Sequence, residues 1–281
     1  MKLTQAQLKG RLKSLAQKNH ADARILIRMY MMERFLERVS ISRYKDNFII
    51  KGGILVTSLI GVALRSTMDI DTTIRNLNLS EADIRQAVEE ICAINLQDDI
   101  TFQIKQISHV MDEMEYPGIR ITMNAYLGKM PVPMKIDVST GDIITPGEIQ
   151  YQYKLLLEDR SIPLWSYNLE TLLAEKLQTV LVRGTLNTRM RDFYDLYELT
   201  HIYKNKINQL LLKDAFYATC AKRSSLLLLT TGPEIISILQ QDFYLMGLWA
   251  SYQQKFSYAD EISYEDIMHC IQNLYEIVSN V

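Results

Sequence analysis

The sequence has few of the residues and patterns that mark several common protein classes. Its 281 residues include only three cysteines, Cys92, Cys220 and Cys270, which lie far apart and form no C-x-x-C pair. This spacing argues against a disulfide framework or a structural zinc site. No apolar run approaches the length of about 18 residues that a membrane span needs, and the amphipathic start is unlike a signal peptide. We therefore predict a cytoplasmic protein that does not contact a membrane.

An excess of either charge is also lacking. The chain has 31 basic and 33 acidic residues and a net charge of −2. Proteins that bind nucleic acid through bulk electrostatics are usually far more basic, so any RNA contact should use a local patch, such as the basic residues from Arg183 to Arg191. Neither the P-loop pattern G-x-x-x-x-G-K-[ST] nor the dinucleotide pattern G-x-G-x-x-G occurs. Both of those nucleotide-binding folds are therefore without support.

Hydrophobic periodicity changes along the chain. The first 45 residues predict helices, the first of them capped by Thr4 and Gln7. Short strands and helices alternate in the next hundred residues, and the stretch between Pro146 and Pro163 is predicted to be a loop. Helices alone are predicted from the N-cap residue Asn168 onward. We predict an α+β fold with an α/β domain over residues 1–160 and a helical domain over residues 161–281.

The segment FIIKGGILVTSLIGVALRSTMDIDTTI, residues 48–74, contains two features that could bind a nucleotide. Gly52 and Gly53 follow a short strand and precede a helix, where the backbone can approach a phosphate and helix N–H groups are available. Asp69 and Asp71 have i,i+2 spacing, which places both on one face of a strand. A Mg²⁺ ion that also binds substrate phosphates suits such a pair. The alternative is an ordinary strand whose aspartates provide solubility.

A third aspartate, Asp137, lies in the alternating strand PVPMKIDVS. If that strand is adjacent to the one with Asp69 and Asp71, three carboxylates converge and could hold two metal ions for an in-line displacement. The alternative is a turn, because aspartate, serine and threonine at residues 137–140 are also good turn formers.

The helical half has a second cluster of charges. Lys176 and Arg183 are seven residues apart and share a helix face, and Asp192, Asp195 and Glu198 are spaced by three residues. Lys176 interrupts an otherwise apolar run, so a partner such as a triphosphate is a reasonable inference. The alternative is a solvated face with ordinary i,i+3 ion pairs.

Four separated motifs resemble the AbiEii/AbiGii toxins, a branch of the nucleotidyltransferase superfamily that includes the MenT toxins. They are KGGILVTSLIG, RSTMDIDTTI, MKIDVSTGDIITP and LLAEKLQTVLVRG…TRMRDFYDLYEL, in the order found in that family. The resemblance covers roughly residues 30 to 205. It implies a mixed sheet of the nucleotidyltransferase type flanked by helices, followed by an all-helical half that completes the active site.

The resemblance also implies roles for individual residues. Gly52 and Gly53 match the family's glycine turn, which often has serine second, so a phosphate would be held here through backbone groups. The remaining matches are a catalytic metal-binding pair (Asp69, Asp71), a third carboxylate (Asp137), a lysine that contacts phosphates (Lys176), a final-motif aspartate (Asp192, favoured over Asp195) and a hydroxyl phosphorylated in some relatives (Thr67). Beside these matches, we predict that Arg65, Arg183 and Asp195 assist in binding the nucleotide.

The family implies the toxin of a type IV toxin–antitoxin pair that acts in abortive infection by phage, with a cognate antitoxin encoded nearby. Relatives transfer nucleotides from an NTP with Mg²⁺, some of them to tRNA 3′ ends, and GTP binding is associated with the AbiE branch. Two alternatives stay open. One is transfer to a protein hydroxyl by AMPylation, phosphorylation or self-modification near Thr67, and the other is an NTP-binding module that acts by sequestering a partner.

Overall fold

The computed structural model describes residues 4–19, 21–63, 65–110 and 118–279. In these ranges the α-helices are α1 Gln5–Lys18, α2 Ala23–Ile41, α3 Gly52–Ile60, α4 Glu81–Ala93, α5 Leu169–Arg183, α6 Met190–Tyr203, α7 Gln209–Lys222, α8 Leu228–Gln241, α9 Phe243–Lys255 and α10 Tyr264–Ser279. The strands are β1 Phe48–Lys51, β2 Asp69–Ile74, β3 Ile100–Val110, β4 Gly118–Leu127, β5 Met130–Thr140, β6 Ile149–Lys154 and β7 Ser161–Ser166. No helix in the described ranges is both long enough and apolar enough to cross a membrane.

The seven strands form one mixed sheet in the order β3-β4-β5-β2-β1-β7-β6. The pairs β2–β5 and β1–β7 are parallel, and the other four are antiparallel. The two central strands β2 and β1 are therefore next to each other although a helix separates them in sequence. The predicted α+β fold, a mixed sheet with flanking helices followed by an all-helical half, is confirmed.

The chain divides into two compact units. The first comprises Met1–Asp142 and Ile149–Ser166, and the second comprises Ile143–Glu148 and Tyr167–Val281. The first unit thus contains the whole sheet with α1–α4, and the second contains α5–α10. The division into independently folding domains at residues 160 and 161 stays a prediction.

In the first unit, the buried apolar residues follow the alternation of apolar and polar residues in the sequence. Every second residue of β4 from Ile119 to Leu127 is at most 3% exposed, because successive side chains of a strand point to opposite faces. α1 begins with the predicted capping box, in which Thr4 and Gln7 exchange hydrogen bonds of 2.9 and 3.3 Å between side chain and backbone. The alternation predicted for β4 and the capping box predicted for α1 are therefore correct.

In the second unit, α5 begins and ends where its sequence predicts. The Asn168 side-chain oxygen accepts a hydrogen bond of 2.8 Å from the Thr171 N–H, and the helix ends at Gly184, whose φ is +51°. Lys176 and the apolar residues around it are buried along this helix. The helix is thus embedded in its unit rather than carrying one solvated charged face.

The loop predicted between Pro146 and Pro163 is wrong, because all of β6 and the first half of β7 lie there. A proline disfavours an internal strand since it lacks the N–H that a ladder needs. Pro163 is nevertheless accommodated because β7 pairs with β1 only through Trp165 and Ser166. The proline lies outside that pairing, opposite Gln152 of β6.

Candidate active site

The glycine turn lies directly against one of the predicted carboxylates. β1 ends at Lys51, which is opposite Asp71 in the antiparallel pairing with β2. α3 begins immediately afterwards, and its Gly53 N–H donates a hydrogen bond of 2.9 Å to Asp71 Oδ2. An N–H in the first turn of a helix has no acceptor within the helix, and here the Asp71 carboxylate supplies one. The backbone contact of Gly53 with a phosphate stays a prediction, since its amide binds Asp71 in this structure.

Both glycines are required by close approach of other groups. Gly52 has a φ of +55°, and a Cβ there would overlap the Asp71 carboxylate. A Cβ at Gly53 would lie 2.8 Å from Thr67 Oγ1 and 3.2 Å from Arg65 Nη2. Position 53 therefore has no room for a serine unless these neighbours move, which explains the departure from the Gly-Ser pattern.

Asp69 and Asp71 form a half-buried pair of carboxylates on one face of β2, with Ile70 fully buried between them. Burial raises the pKa of both side chains. Lys135 opposes that effect at Asp69, the Gly53 N–H opposes it at Asp71, and the charge of Asp137 adds to it at both. The pair thus lies where additional positive charge would be favourable.

Asp137 is next to this pair but already has a cationic partner. Strand β5 is parallel to β2, with Asp137 opposite Asp71, and Arg120 of β4 is opposite Asp137. The guanidinium of Arg120 donates two hydrogen bonds of 2.8 and 2.9 Å to the Asp137 carboxylate. Arg120, Asp137, Asp71 and Lys51 therefore form a row across four neighbouring strands, which we call the charged row.

The other end of the charged row is held by a buried aspartate. Lys51 Nζ lies 2.7 Å from Asp142 Oδ2, and the Asp142 side chain is completely inaccessible. The same oxygen accepts a hydrogen bond of 2.6 Å from Ser139 Oγ. Burial would raise the pKa of Asp142, but Lys51 and the hydroxyls of Ser139 and Thr73 outweigh it, so that the pKa is lowered. Asp142 therefore fixes Lys51 as an ion pair.

These residues fit a divalent cation held by two protein carboxylates. No group of three or more His, Cys, Asp or Glu side chains within the described parts of the chain is arranged to hold a metal ion. Mg²⁺ commonly takes one or two carboxylates and completes its shell with waters and substrate phosphates, and Asp69 with Asp71 satisfies that requirement. Asp137 as a further metal ligand stays a prediction, because its pair with Arg120 would have to open.

Three of the predicted charges of the second unit form one cluster. Lys176 Nζ of α5 lies 2.8 Å from Asp192 Oδ1 and 2.7 Å from Asp195 Oδ2, both on α6. The Asp195 side chain is inaccessible, whereas Asp192 keeps 18% of its surface. Asp192 is therefore the more accessible of the two aspartates, and the choice between them for the final motif stays a prediction.

The remaining predicted residues differ in accessibility. Arg65 and Thr67 are buried beside the glycine turn. Arg65 Nη1 donates to the Ser66 carbonyl at 2.8 Å, and the Thr67 hydroxyl donates to the Asp69 carbonyl at 3.3 Å. Arg183 is half-buried at the last residue of α5. Their nucleotide contacts stay predictions, and the first two also support the backbone that carries Gly53 and Asp69.

Comparison with known proteins identifies the family. The family described as "Nucleotidyl transferase AbiEii toxin, Type IV TA system" matches residues 34–270, which is well over half of the chain. The chain belongs to this family. The resemblance inferred from the four motifs is thereby confirmed. The family consists of toxins from type IV toxin–antitoxin systems.

Solved structures of similar chains have low sequence identity to this AbiEii chain. The protein JHP933 from Helicobacter pylori is 14% identical with a TM-score of 0.48, and covers 90% of this chain and 93% of its own. A candidate nucleotidyltransferase from the same organism is 15% identical with a TM-score of 0.48 and coverages of 90% and 96%. An antigenic nucleotidyltransferase-like protein from Paracoccidioides brasiliensis is 13% identical, with a TM-score of 0.39 and coverages of 75% and 92%. No curated protein matches the sequence.

Three charged residues near the AbiEii carboxylates were not predicted from the sequence: Lys51, Arg120 and Asp142. Arg120 is 17 residues from its partner Asp137, and Lys51 is 91 residues from Asp142. Lys51 directly precedes the two glycines, and that position was the available signal. The other two become recognisable only when the strand register is known.

Replacing Gly52 with alanine should lower transfer activity at least about 100-fold, because displacement of a reacting group by about 1 Å can have that effect. The new Cβ would push the Asp71 carboxylate away, and the positive φ should destabilise the chain by roughly 1–2 kcal/mol. Gly184→Ala is the matched control, since its φ is +51° and nothing lies within 4 Å of the added Cβ. Unfolding and initial transfer rates should be measured for both. Equal transfer by the two variants would contradict the prediction.

Proposed function

We propose that this AbiEii toxin is a Mg²⁺-dependent nucleotidyltransferase that moves a nucleotide from an NTP to an RNA acceptor such as a tRNA 3′ end. The observation that carries the proposal is the pair Asp69 and Asp71, half-buried with raised pKa values beside a glycine turn. A bound cation would stabilise the two carboxylates. The adjacent N-terminus of α3 could bind a phosphate. A cation with a bound triphosphate would supply what the site lacks.

In this proposal Asp69 and Asp71 hold the metal, and the N-terminal turn of α3 faces the triphosphate. Bound Mg²⁺ would stabilise negative charge on the transferring phosphate. Lys176 would contact a phosphate oxygen, with Asp192 as its more accessible partner. The RNA 3′-hydroxyl would lose its proton to solvent as its oxygen forms a bond to the α-phosphorus, while the bond from the α-phosphorus to the bridging β-phosphate oxygen breaks and pyrophosphate leaves.

Membership of the toxin family implies a cognate antitoxin. GTP is the nucleotide we propose to test first, and the cytoplasm, where tRNA and nucleotides are abundant, is the proposed place of action. Growth arrest during phage infection would follow if the modified RNA no longer supported translation.

The direct test incubates the protein with each labelled NTP, Mg²⁺ and total RNA, and then separates RNA from protein. Label should enter RNA with the wild type and be lost with Asp69→Asn. Asp159→Asn is the matched control, since Asp159 is a fully exposed aspartate of the same unit. Label on the protein would instead support transfer to a protein hydroxyl. Tight NTP binding without label in either fraction would support a binding module that sequesters its partner.

A further inference from the structure

Five aromatic side chains of the second unit form a continuous cluster that includes two accessible rings. Tyr194, Trp249 and Tyr252 are buried. Phe256 and Tyr258, just beyond α9, are only half-buried and stack with centroids 5.3 Å apart at an interplanar angle of 22°. A stacked pair at the surface differs from ordinary core packing because part of its ring area remains accessible.

The accessible pair is anchored by the buried rings. The hydroxyls of Tyr252 and Tyr258 are 2.9 Å apart and hydrogen-bonded. The Tyr258 ring lies 4.8 Å from that of Tyr194, and the Phe256 ring lies 4.7 Å from that of Tyr252. The orientation of both rings is thus set before any ligand arrives, which reduces the entropy lost on binding.

The turn that carries the pair is fixed by further hydrogen bonds. The Gln253 side-chain amide donates to the carbonyls of Ala259 and Ile262 at 3.2 and 3.0 Å. The Trp249 indole N–H donates to the same Ile262 carbonyl at 2.9 Å. The segment after α9 is therefore a rigid support for Phe256 and Tyr258.

Two cations accompany the Phe256 ring. The Arg191 guanidinium carbon is 6.0 Å and the Lys255 Nζ is 5.4 Å from its centroid. Arg191 directly precedes Asp192, and Tyr194 directly precedes Asp195, so α6 carries both this cluster and the partners of Lys176. Half-buried aromatic side chains with adjacent cations match the chemistry of a nucleotide unit, which has a flat base and an anionic phosphate.

We propose that Phe256 and Tyr258 form a stacking platform for a nucleobase, with Arg191 and Lys255 beside the attached phosphate. The inference deepens the proposed nucleotidyltransferase function and rests on it for the identity of the ligand. The base can come from the acceptor RNA or from the NTP, because the chemistry is the same. The platform accepts any base, since every base offers an aromatic face.

The first test measures binding of a fluorescently labelled single-stranded RNA octamer by anisotropy. Phe256→Leu keeps an apolar side chain but removes the ring, and should weaken binding roughly 5- to 150-fold if the platform stacks an RNA base. Phe243→Leu is the matched control, because Phe243 opens α9 and is 87% exposed. An octamer of abasic nucleotides should bind the wild type and Phe256→Leu equally.

The second arm measures binding of a non-hydrolysable NTP analogue to the same variants. A loss confined to the octamer assigns the base to the RNA, and a loss confined to the analogue assigns it to the NTP. Either loss supports the platform. Unchanged binding of both ligands by a folded Phe256→Leu variant, or a wild type that binds neither, overturns it. Tyr258→Leu provides a second variant should Phe256→Leu fail to fold.

The cations have a separate signature. Arg191→Gln and Lys255→Gln should each lower the salt dependence of octamer binding by about one in the slope of log K against log salt, whereas Phe256→Leu should leave that slope unchanged. The label-transfer assay separates the two proposals. The platform alone is rejected if Asp69→Asn abolishes transfer while Phe256→Leu changes neither binding nor transfer. Ring-dependent RNA binding without any transfer rejects the enzymatic function alone.

Discussion

Replacing Asp71 with asparagine is expected to abolish nucleotide transfer without destabilising the fold. Asparagine keeps an oxygen that can accept the hydrogen bond from the Gly53 N–H, which is 2.9 Å long in the native chain. It cannot supply the negative charge that a divalent cation needs. Metal ions contribute several kcal/mol of charge stabilisation in such reactions, so the rate should fall by at least about 10³-fold.

The same substitution should raise stability at neutral pH when no metal is present. Burial raises the pKa of Asp71 in the folded chain. The stability associated with this carboxyl is therefore fully present below the ordinary pKa of about 3.9 and is lost as the pH rises through the raised value. Asparagine does not ionise, so the variant does not lose this stability. The free energy of unfolding of the variant should therefore exceed that of the wild type by an amount that grows as the pH rises through the raised pKa of Asp71.

Urea denaturation over a pH series, with and without MgCl2, tests both parts. Mg²⁺ should raise the unfolding free energy of the wild type and leave that of Asp71→Asn unchanged, because ligands stabilise only the state that binds them. Asp159→Asn should behave as the wild type in every measurement. An Asp71→Asn variant that retains transfer would exclude Asp71 as a metal ligand, and one that unfolds in buffer would show that its charge is structural.

Local periodicity accounts for the parts of the fold that the sequence predicts well. The alternation around Asp69 and Asp71 identifies β2, and that around Asp137 identifies β5. The three-aspartate hypothesis required these two strands to be adjacent, and the parallel β2–β5 pairing, with Asp137 opposite Asp71, meets that condition. Alternation gives the face of each side chain, but it does not determine which strand lies beside which.

Side-chain partners that depend on register could not be predicted in the same way. Asp137 was predicted only as a metal ligand, and its observed partner is Arg120 from β4, the strand that precedes β5. Asp142 follows β5 and was not singled out from the sequence, yet it is buried against Lys51. Each pairing is decided by the order of strands in the sheet, which arises from interactions between residues distant in sequence.

Lys176 shows how a correct local inference can leave a role open. The sequence indicates that a lysine within an apolar helical run requires a partner, and the structure supplies Asp192 and Asp195. The partners belong to the final motif that the resemblance assigns to nucleotide chemistry. A structural role and a phosphate-binding role are therefore compatible in one residue, and only a variant that separates them can assign the second.

Lys176→Met is expected to reduce both stability and transfer. Methionine preserves the length of the side chain and removes the ammonium, which leaves the buried Asp195 and the half-buried Asp192 without that cation. Breaking a buried ion pair in this way destabilises proteins by about 3–5 kcal/mol. The free energy of unfolding, measured by urea denaturation, should fall by that amount, and transfer should be lost at the same time. Lys222→Met is the control, since Lys222 is exposed on α7 of the same unit.

The double variant Lys176→Met/Asp195→Asn distinguishes the two roles of the lysine. Neutralising the inaccessible Asp195 removes one uncompensated charge, so at least part of the lost stability should return, and the two substitutions should be strongly non-additive. Transfer should stay lost, because a phosphate would still lack its lysine. Recovery of transfer together with stability would show that Lys176 serves the fold alone. Recovery of stability without transfer would leave phosphate binding as the function that the methionine cannot replace.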